Sequence, residues 1–529
     1  MNEPTAPSRL AGDGRWQRPA AVALTLGGLI LAIVLGAISD GFHQDDDALH
    51  YLYARDGWSD AHKLWHGWSR PGYSLPTMLV ARWFGLFGCR AFSAVQTAAT
   101  ALLAYGVARR LGEGDGRGRR WALAAPVLVW AQPMAMTLAC TTLTETPAML
   151  YLTLALWLYV RGNRVWASAV LSLLAVTRYE TVALWPIVAA AVLLDAREAG
   201  GSLAKALRQS WAWGCAAALL WAPVAYFAVT KLVALPDELS PFAHAHGQHT
   251  GQYGFGTWGH YLPVWVDVAG AGVLALAAAG TLAAGRRGWL VWAMPAGLVA
   301  LHTVLYRFGW FGASGYARFL VPTAGPVAAV GAVGLGRLAS RPRWPAVIAA
   351  TAVLLSAARV GIWAHLAWWH TPVLALLLVV LYVRSWRTRH GAGLAAVALL
   401  VLTAPFVLLE PATTVGPLKL TDDDLHAVLA ECVEQADAAG LADRPALSMH
   451  SVPALLHGPT EVVFTEARAR QLWDEMPPGG LFFWDGKYGP KLTTAPAPNT
   501  GLHGDLLRLG RRIARRQRGQ AVAELFVRR

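Results

Sequence analysis

Runs of about 20 apolar residues recur along most of this chain, separated by short polar breaks, and that length spans a bilayer as a helix. The hydrocarbon core offers backbone N–H and C=O groups no partner outside the segment, so spanning runs must be helical. The fold class read from the sequence is therefore an α-helical polytopic membrane protein. Only 15% of the 529 residues are charged and 55% are hydrophobic, whereas a soluble chain carries about 25% charge. This excludes the reading as several soluble domains that length alone suggests. The 25 tryptophans fit the same class, because the indole settles at the headgroup level. A net charge of +13 comes from Lys and Arg gathered in the breaks, without a nucleic-acid-binding module, so no nucleic-acid partner is expected. The four cysteines, Cys89, Cys140, Cys215 and Cys432, are too scattered for a disulfide framework or a thiolate metal site.

The first apolar run covers 19–38 and follows Arg9, Arg15 and Arg18. It is too long for the apolar core of a secretory signal, and reads as a retained anchor after a cytoplasmic tail, 1–18. Breaks at 109–120, 161–164, 197–208, 286–287, 337–343 and 384–389 are basic. Breaks at 40–70, 141–146, 178–181, 232–260, 307–318 and 362–370 are richer in acids, His and aromatics. By the positive-inside rule the first set is cytoplasmic and the second faces outward. The alternation closes if 73–87, which carries Pro76 and Arg82, lies as an interfacial helix within a first outer loop, 40–90. About 13 transmembrane helices then fill 19–409. Beyond them, 410–529 has a soluble composition and reads as a small extracytoplasmic α/β domain, with strands near 446–448, 462–464 and 481–484 and an amphipathic helix over 425–438. Its basic run, 508–518, reads as a solvated helix face or a headgroup contact.

Chemistry concentrates in the outward breaks. The first holds His43-Gln44-Asp45-Asp46-Asp47-Ala48-Leu49-His50-Tyr51. Adjacent carboxylates raise one another's pKa, and burial raises it further, which suits a general base or a divalent cation. An acidic loop standing in water is the plain alternative. Thr144-Glu145 opens a later span, where a helix N-terminal acid is favoured by the helix dipole. Arg178, in Thr177-Arg178-Tyr179-Glu180, and Arg318, in Tyr316-Ala317-Arg318-Phe319, stand at span mouths. Arginine there is a snorkelling anchor or a phosphate holder. His244, His246 and His249, with Asp237 and Glu238, have a spacing that zinc can use, but a mobile loop over the site is the better reading.

Taken in order, these residues resemble the GT-C superfamily of membrane glycosyltransferases, which includes protein O-mannosyltransferases, aminoarabinose transferases and GPI mannosyltransferases. The family's acid pair in the first outer loop is similar to Asp46-Asp47-Ala48, followed by Tyr51-Leu52-Tyr53. Its Pro-rich interfacial helix resembles Arg70-Pro71-Gly72-Tyr73, and its outer Thr-Glu resembles Thr144-Glu145. An Ala-x-Thr-Arg stretch is matched by Ala175-Val176-Thr177-Arg178, and an Arg-aromatic before proline by Arg318-Phe319 and Pro322. The likeness covers about 18–333. Leu49-His50 stands where the family has an aromatic pair, which leaves the frame of the aspartates open between Asp46 and Asp47.

The resemblance implies inverting transfer of a mannose-like or related sugar from a polyprenyl-phosphate carrier to a hydroxyl on a lipid, glycan or protein. The reaction is of hexosyl or pentosyl type, at the outer face of the inner (plasma) membrane. It makes Asp46 or Asp47 the catalytic base. Asp45, His43, Tyr51, Arg70, Glu145, Arg178 and Arg318 become the substrate-binding set. No cofactor is required, although Asp45 or Asp47 can hold a divalent cation. Membrane lipids are the remaining partner. A multi-span transporter of a polar or lipid-linked solute is the alternative, and a non-catalytic scaffold would leave Asp46, Glu145 and Arg318 apart.

Overall fold

The computed structural model describes residues 16–39, 41–113, 118–198, 201–235, 254–284, 288–340, 424–463, 466–486 and 501–529. Helix α1 (Gln17–Ile38) is followed by the short α2 (Gln44–Asp56) and the long α3 (Pro71–Leu111). Next come α4 (Glu145–Val160), α5 (Arg164–Thr177), a 3-10 turn (Tyr179–Leu184) running into α6 (Trp185–Glu198), and α7 (Ser210–Leu232). The helical part closes with α8 (Tyr261–Ala269), α9 (Ala271–Ala284), α10 (Trp289–Phe308), a 3-10 turn (Ala317–Thr323) and α11 (Ala324–Ser340).

Among the described residues six helices are long and apolar enough to cross a membrane, or seven if α8 and α9, bent by 105°, form one broken span. The expected 13 is not confirmed by the described residues. Several apolar runs break into short helices, such as Ala124–Trp130 and Pro133–Ala139, the second opened by Pro133, and none of these reaches about 20 residues. The spans expected over 341–409 lie outside the described residues, as do Asp237, Glu238, His244, His246 and His249.

The interfacial segment and the following span are one element, α3, broken at Gly85, whose φ of 61° and ψ of −158° only glycine adopts without strain. Before the break Leu79, Trp83 and Phe84 are exposed, so that half presents apolar side chains outward. After it α3 packs with α1, α4 and α11 through small residues such as Ala101, Ala104, Ala108, Ala328 and Ala332. Small side chains let helices approach closely where burial against lipid gives little driving force.

The C-terminal region forms a five-stranded sheet of β1 (Ala446–Ser448), β2 (Thr460–Val462), β3 (Leu481–Asp485), β4 (Gly510–Arg518) and β5 (Ala521–Arg528), ordered β2-β1-β3-β5-β4. β1 pairs in parallel with β2 and β3, and β5 pairs antiparallel with β3 and β4. Alternation sorts the faces. Leu481, Phe483 and Leu525 meet α12 (Asp424–Ala438), while Phe482 and Phe526 meet Trp473, Leu502 and Leu506. The basic run at 508–518 is mostly strand β4, not a helix face. Ile513 and Ala514 are more buried than Arg511, Arg512 and Arg515 beside them, and the antiparallel pairing with β5 overrides the helical reading.

Candidate active site

The site begins at the N-terminus of α2. Gln44, in a left-handed conformation with φ of 61°, turns the chain into the helix. Asp45, Asp46 and Asp47 then fill its first turn, where the helix dipole favours negative charge. Successive helical residues diverge by about 100°, so the three carboxylates meet different partners. Asp47 is fully buried. Its Oδ2 accepts the His43 N–H at 3.0 Å, and its Oδ1 accepts the Thr142 N–H at 2.6 Å and the Thr142 hydroxyl at 2.5 Å. Asp46 keeps a quarter of its side chain exposed and pairs with Arg318. Asp45 turns toward the C-terminal sheet domain, where its Oδ1 meets His426 and His450.

Arg318 sits in the 3-10 turn before α11 and is buried. Besides Asp46 it reaches Glu145 Oε1 at 3.5 Å. Glu145, fully buried at the start of α4, takes a shorter bond of 2.7 Å from Arg178, which ends α5. Arg178 also holds Glu180 Oε1 at 2.5 Å, and His302 Nε2 stands 4.0 Å from that oxygen. Phe319 floors the cluster, with the Arg178 and Arg318 guanidinium carbons 4.6 and 5.4 Å from its ring centre and His302 stacked on it at 5.2 Å.

Arg70 borders the same centre. It lies 4.1 Å from the ring centre of Tyr179, between Arg178 and Glu180. Its backbone is left-handed, with φ of 55°, immediately before Pro71 opens α3. Such strain in a bulky residue must be held by its surroundings. Gly72 supplies that hold, because a Cβ there would stand 1.9 Å from Thr177 Oγ1 and 3.0 Å from the Leu173 carbonyl. The start of α3 therefore abuts the end of α5, and Tyr151 further donates its hydroxyl to the Gly72 carbonyl at 2.9 Å. Among the described residues Arg70 Nη1, Arg318 Nε and Glu145 Oε2 are buried without a hydrogen-bond partner. Buried polar atoms are seldom left so, and the two nitrogens are donors suited to an anion.

Electrostatics corrects one expectation. Adjacent carboxylates were expected to raise the pKa of the acids. Burial does push Asp46 upward, but Arg318 outweighs it and holds that carboxyl below its usual value. His50 is the residue the sequence reading missed. One turn beyond Asp46 and buried, it is pushed down to about 3, by burial first and then by Arg70, Arg318 and Arg178 against the pull of Asp46. It is a neutral imidazole at ordinary pH. The i, i+4 spacing from Asp46 was the available signal.

The structure thus brings Asp46, Glu145, Arg178, Arg318 and Arg70 together. It holds Asp47 and the His43 backbone in a cap beside them. Tyr51 goes elsewhere. It packs with Tyr73, Ala81 and Cys89, its ring centre 5.8 Å from the Arg55 guanidinium carbon.

No family model matches this chain, and no curated protein does. Solved structures do. ArnT from Cupriavidus metallidurans bound to undecaprenyl phosphate superposes with a TM-score of 0.60 at 15% identity, covering 95% of this chain and 97% of ArnT. Its apo state gives 0.59 at the same identity and coverage. The chain has the fold of ArnT. The fold and the apolar helices agree with an integral membrane protein. At 15% identity the ArnT likeness concerns the fold, and the chemistry rests on the side chains described above.

Proposed function

We propose that the chain is a membrane glycosyltransferase that moves a sugar from a polyprenyl-phosphate carrier to a hydroxyl acceptor at the outer face of the plasma membrane, inverting the anomeric centre. The observation that carries this reading is the joining of Asp46 to Arg318 beside Glu145 and Arg178, four side chains from four separate segments in one buried cluster. The undecaprenyl phosphate held by ArnT makes a polyprenyl-phosphate donor the natural carrier. Its chain is apolar enough to lie among lipid-facing helices, with the phosphate at the level of the arginines.

Asp46 is the base. It takes the proton of the acceptor hydroxyl as that oxygen attacks the anomeric carbon. The bond from that carbon to the phosphate oxygen breaks, and the electron pair leaves with the phosphate. Arg318 and Arg70, each carrying a buried nitrogen without a partner, hold that phosphate. Arg178 and Glu145 fix Arg318 in place. The phosphodiester of the donor gains one negative charge on becoming a monoester, while Asp46 loses one on protonation. The total charge of the pocket is unchanged, so the arginines can favour the transition state without trapping the product. In the resting state Arg318 holds the Asp46 pKa down. A phosphate on Arg318 weakens that hold and restores basicity when the donor is bound. Mannose or a related hexose or pentose is the sugar expected from the resemblance.

The test is transfer of radiolabelled sugar from a panel of polyprenyl-phosphate donors by membranes containing the native chain, Asp46→Asn or Asp47→Asn at matched expression. Product from the native chain that is lost with Asp46→Asn supports the proposal. An active donor on which Asp46→Asn keeps full turnover overturns Asp46 as the base.

A further inference from the structure

Asp45, like Asp47, takes no part in the transfer chemistry, and it faces the C-terminal domain. Its Oδ1 lies 3.1 Å from His426 Nε2, on α12, and in direct contact with His450 Nε2. Ser451, the first residue of a short helix, α13 (Ser451–Leu456), donates its hydroxyl to the Asp45 carbonyl at 3.1 Å. The two imidazoles meet edge to face, with centres 5.0 Å apart. His450 is fully buried and His426 nearly so.

Three donor atoms within 4.8 Å of one another have the spacing of a metal site. The hydrogen bonding argues against that use. A histidine that binds a metal through Nε2 gives its Nδ1–H to an acceptor. Here His450 Nδ1 faces a donor, the Val452 N–H, at 3.2 Å. Nδ1 must therefore be the bare nitrogen and Nε2 must carry the proton, and that Nε2 stands against the Asp45 carboxylate. An Nε2 that carries its proton has no lone pair for a metal, so His450 as placed is a partner of the Asp45 carboxylate and not a cation ligand.

We propose that His426, His450 and Ser451 form a latch by which the C-terminal domain holds Asp45, and through it positions the first turn of α2 that carries Asp46. This rests on the transferase reading only for its kinetic consequence. The latch residues touch no reacting atom in that reading. They are positioning residues, acting through one helical turn on the contact between Asp46 and Arg318. The interaction separates 381 positions of chain between His426 and Asp45, so the catalytic turn is completed only when the C-terminal domain has folded and docked.

The experiment has two readouts on the purified full chain. Hydrogen exchange of the 44–56 peptide reports the order of α2 whatever the activity. In Asp45→Ala and His450→Ala that peptide is expected to exchange at least about tenfold faster, while Asp46→Asn leaves it unchanged. Kinetics on the active donor should give kcat lower by about 10- to 100-fold in the two alanine variants, with donor KM within about threefold, because a misplaced base slows chemistry more than binding. Asp45→Asn keeps an acceptor oxygen for both imidazoles, and its 44–56 peptide is expected to exchange at close to the native rate. Should His450→Ala fail to fold, Asp45→Ala, on a partly exposed side chain, carries the test. Native exchange and native kcat in Asp45→Ala overturn the latch. So does about one equivalent of zinc or another divalent metal in the purified protein that is lost in His450→Ala. A native chain inactive on every donor counts against the transferase reading, and the exchange readout still decides the latch.

Discussion

The Thr142 backbone N–H donates to Asp47 Oδ1 at 2.6 Å, tying the first turn of α2 to a residue 95 positions along the chain. With the Thr142 hydroxyl and the His43 N–H on the same carboxylate, Asp47 has its acceptor sites occupied inside the fold. Two neighbouring aspartates thus differ in what their loss should do. Asp47→Asn turns one acceptor oxygen into a donor facing donors, and should lower thermal stability by about 1–3 kcal/mol, together with activity. Asp46→Asn loosens the partly exposed pair with Arg318 and should lower stability by less than Asp47→Asn does, while turnover falls by about 10²- to 10⁴-fold. Differential scanning fluorimetry alongside the transfer assay checks both; equal melting curves with activity lost only in Asp47→Asn would move the base to Asp47.

Arg318 meets two carboxylates, and its role as phosphate holder gives a graded expectation. Arg318→Lys keeps the charge but not the planar fork, and Arg318→Ala removes both. Turnover is expected to fall by about 10²- to 10³-fold in the alanine variant, with the lysine variant in between. A fall confined to donor KM, with kcat intact, would make Arg318 a binding anchor that does not act in the transition state.

Glu145 carries no exposed surface and holds two arginines. Glu145→Gln leaves buried guanidinium charge under-compensated, and breaking such a pair costs about 3–5 kcal/mol. The expected outcome is poor yield or a markedly lower melting temperature, partly recovered in the double variant Glu145→Gln/Arg178→Met. A singly substituted protein of native stability would show that Glu145 is not needed to hold the arginines.

The pH profile follows from two directions. Arg318 outweighs burial and holds Asp46 below its ordinary value, so it stays charged as pH falls through the usual carboxylate range. Burial and the arginines put His50 at about 3, so it stays neutral on the same path. Neither group changes state between about pH 5.5 and 8, and kcat/KM of the free enzyme should be flat there. A limb near the ordinary histidine value that vanishes in His50→Gln would contradict the neutral assignment.

The Gly72 contact predicts a steric effect. Gly72→Val would drive a side chain into Thr177 Oγ1 and the Leu173 carbonyl, costing about 1–3 kcal/mol by overpacking. It would also displace Arg70, raising donor KM. Adding Thr177→Ala removes the nearer clash and should recover part of both losses, read from melting curves and from KM.

Much of the helical part is legible because hydropathy is a local property. The run before Ile38 and the runs around α6, α7 and α10 announce spans by length alone. The number of spans is harder to read, since a proline such as Pro133 divides an apolar run without changing its composition. The outer-loop acids and boundary arginines stand out because charge beside a span is rare. Their meeting does not, because Arg318 and Asp46 are 272 positions apart and nothing local encodes the contact. His426 and His450 escaped notice for the same reason. The 508–518 run misled because arginine suits helix and strand alike, and β5 decides the matter by pairing with it.

Among the described residues β4 is one of the two edge strands of its sheet, with β2 at the other end, and it carries Arg511, Arg512, Arg515, Arg516 and Arg518. A domain tethered to a membrane protein is crowded in two dimensions, where an open strand edge invites the sheet of a neighbouring copy to continue onto it. Arg512 and Arg515 pair with Glu524, and Arg516 and Arg518 with Glu431, so the strand carries bulky charged side chains that oppose that continuation. The same arginines that obscured the strand in the sequence therefore disfavour the pairing of copies along it.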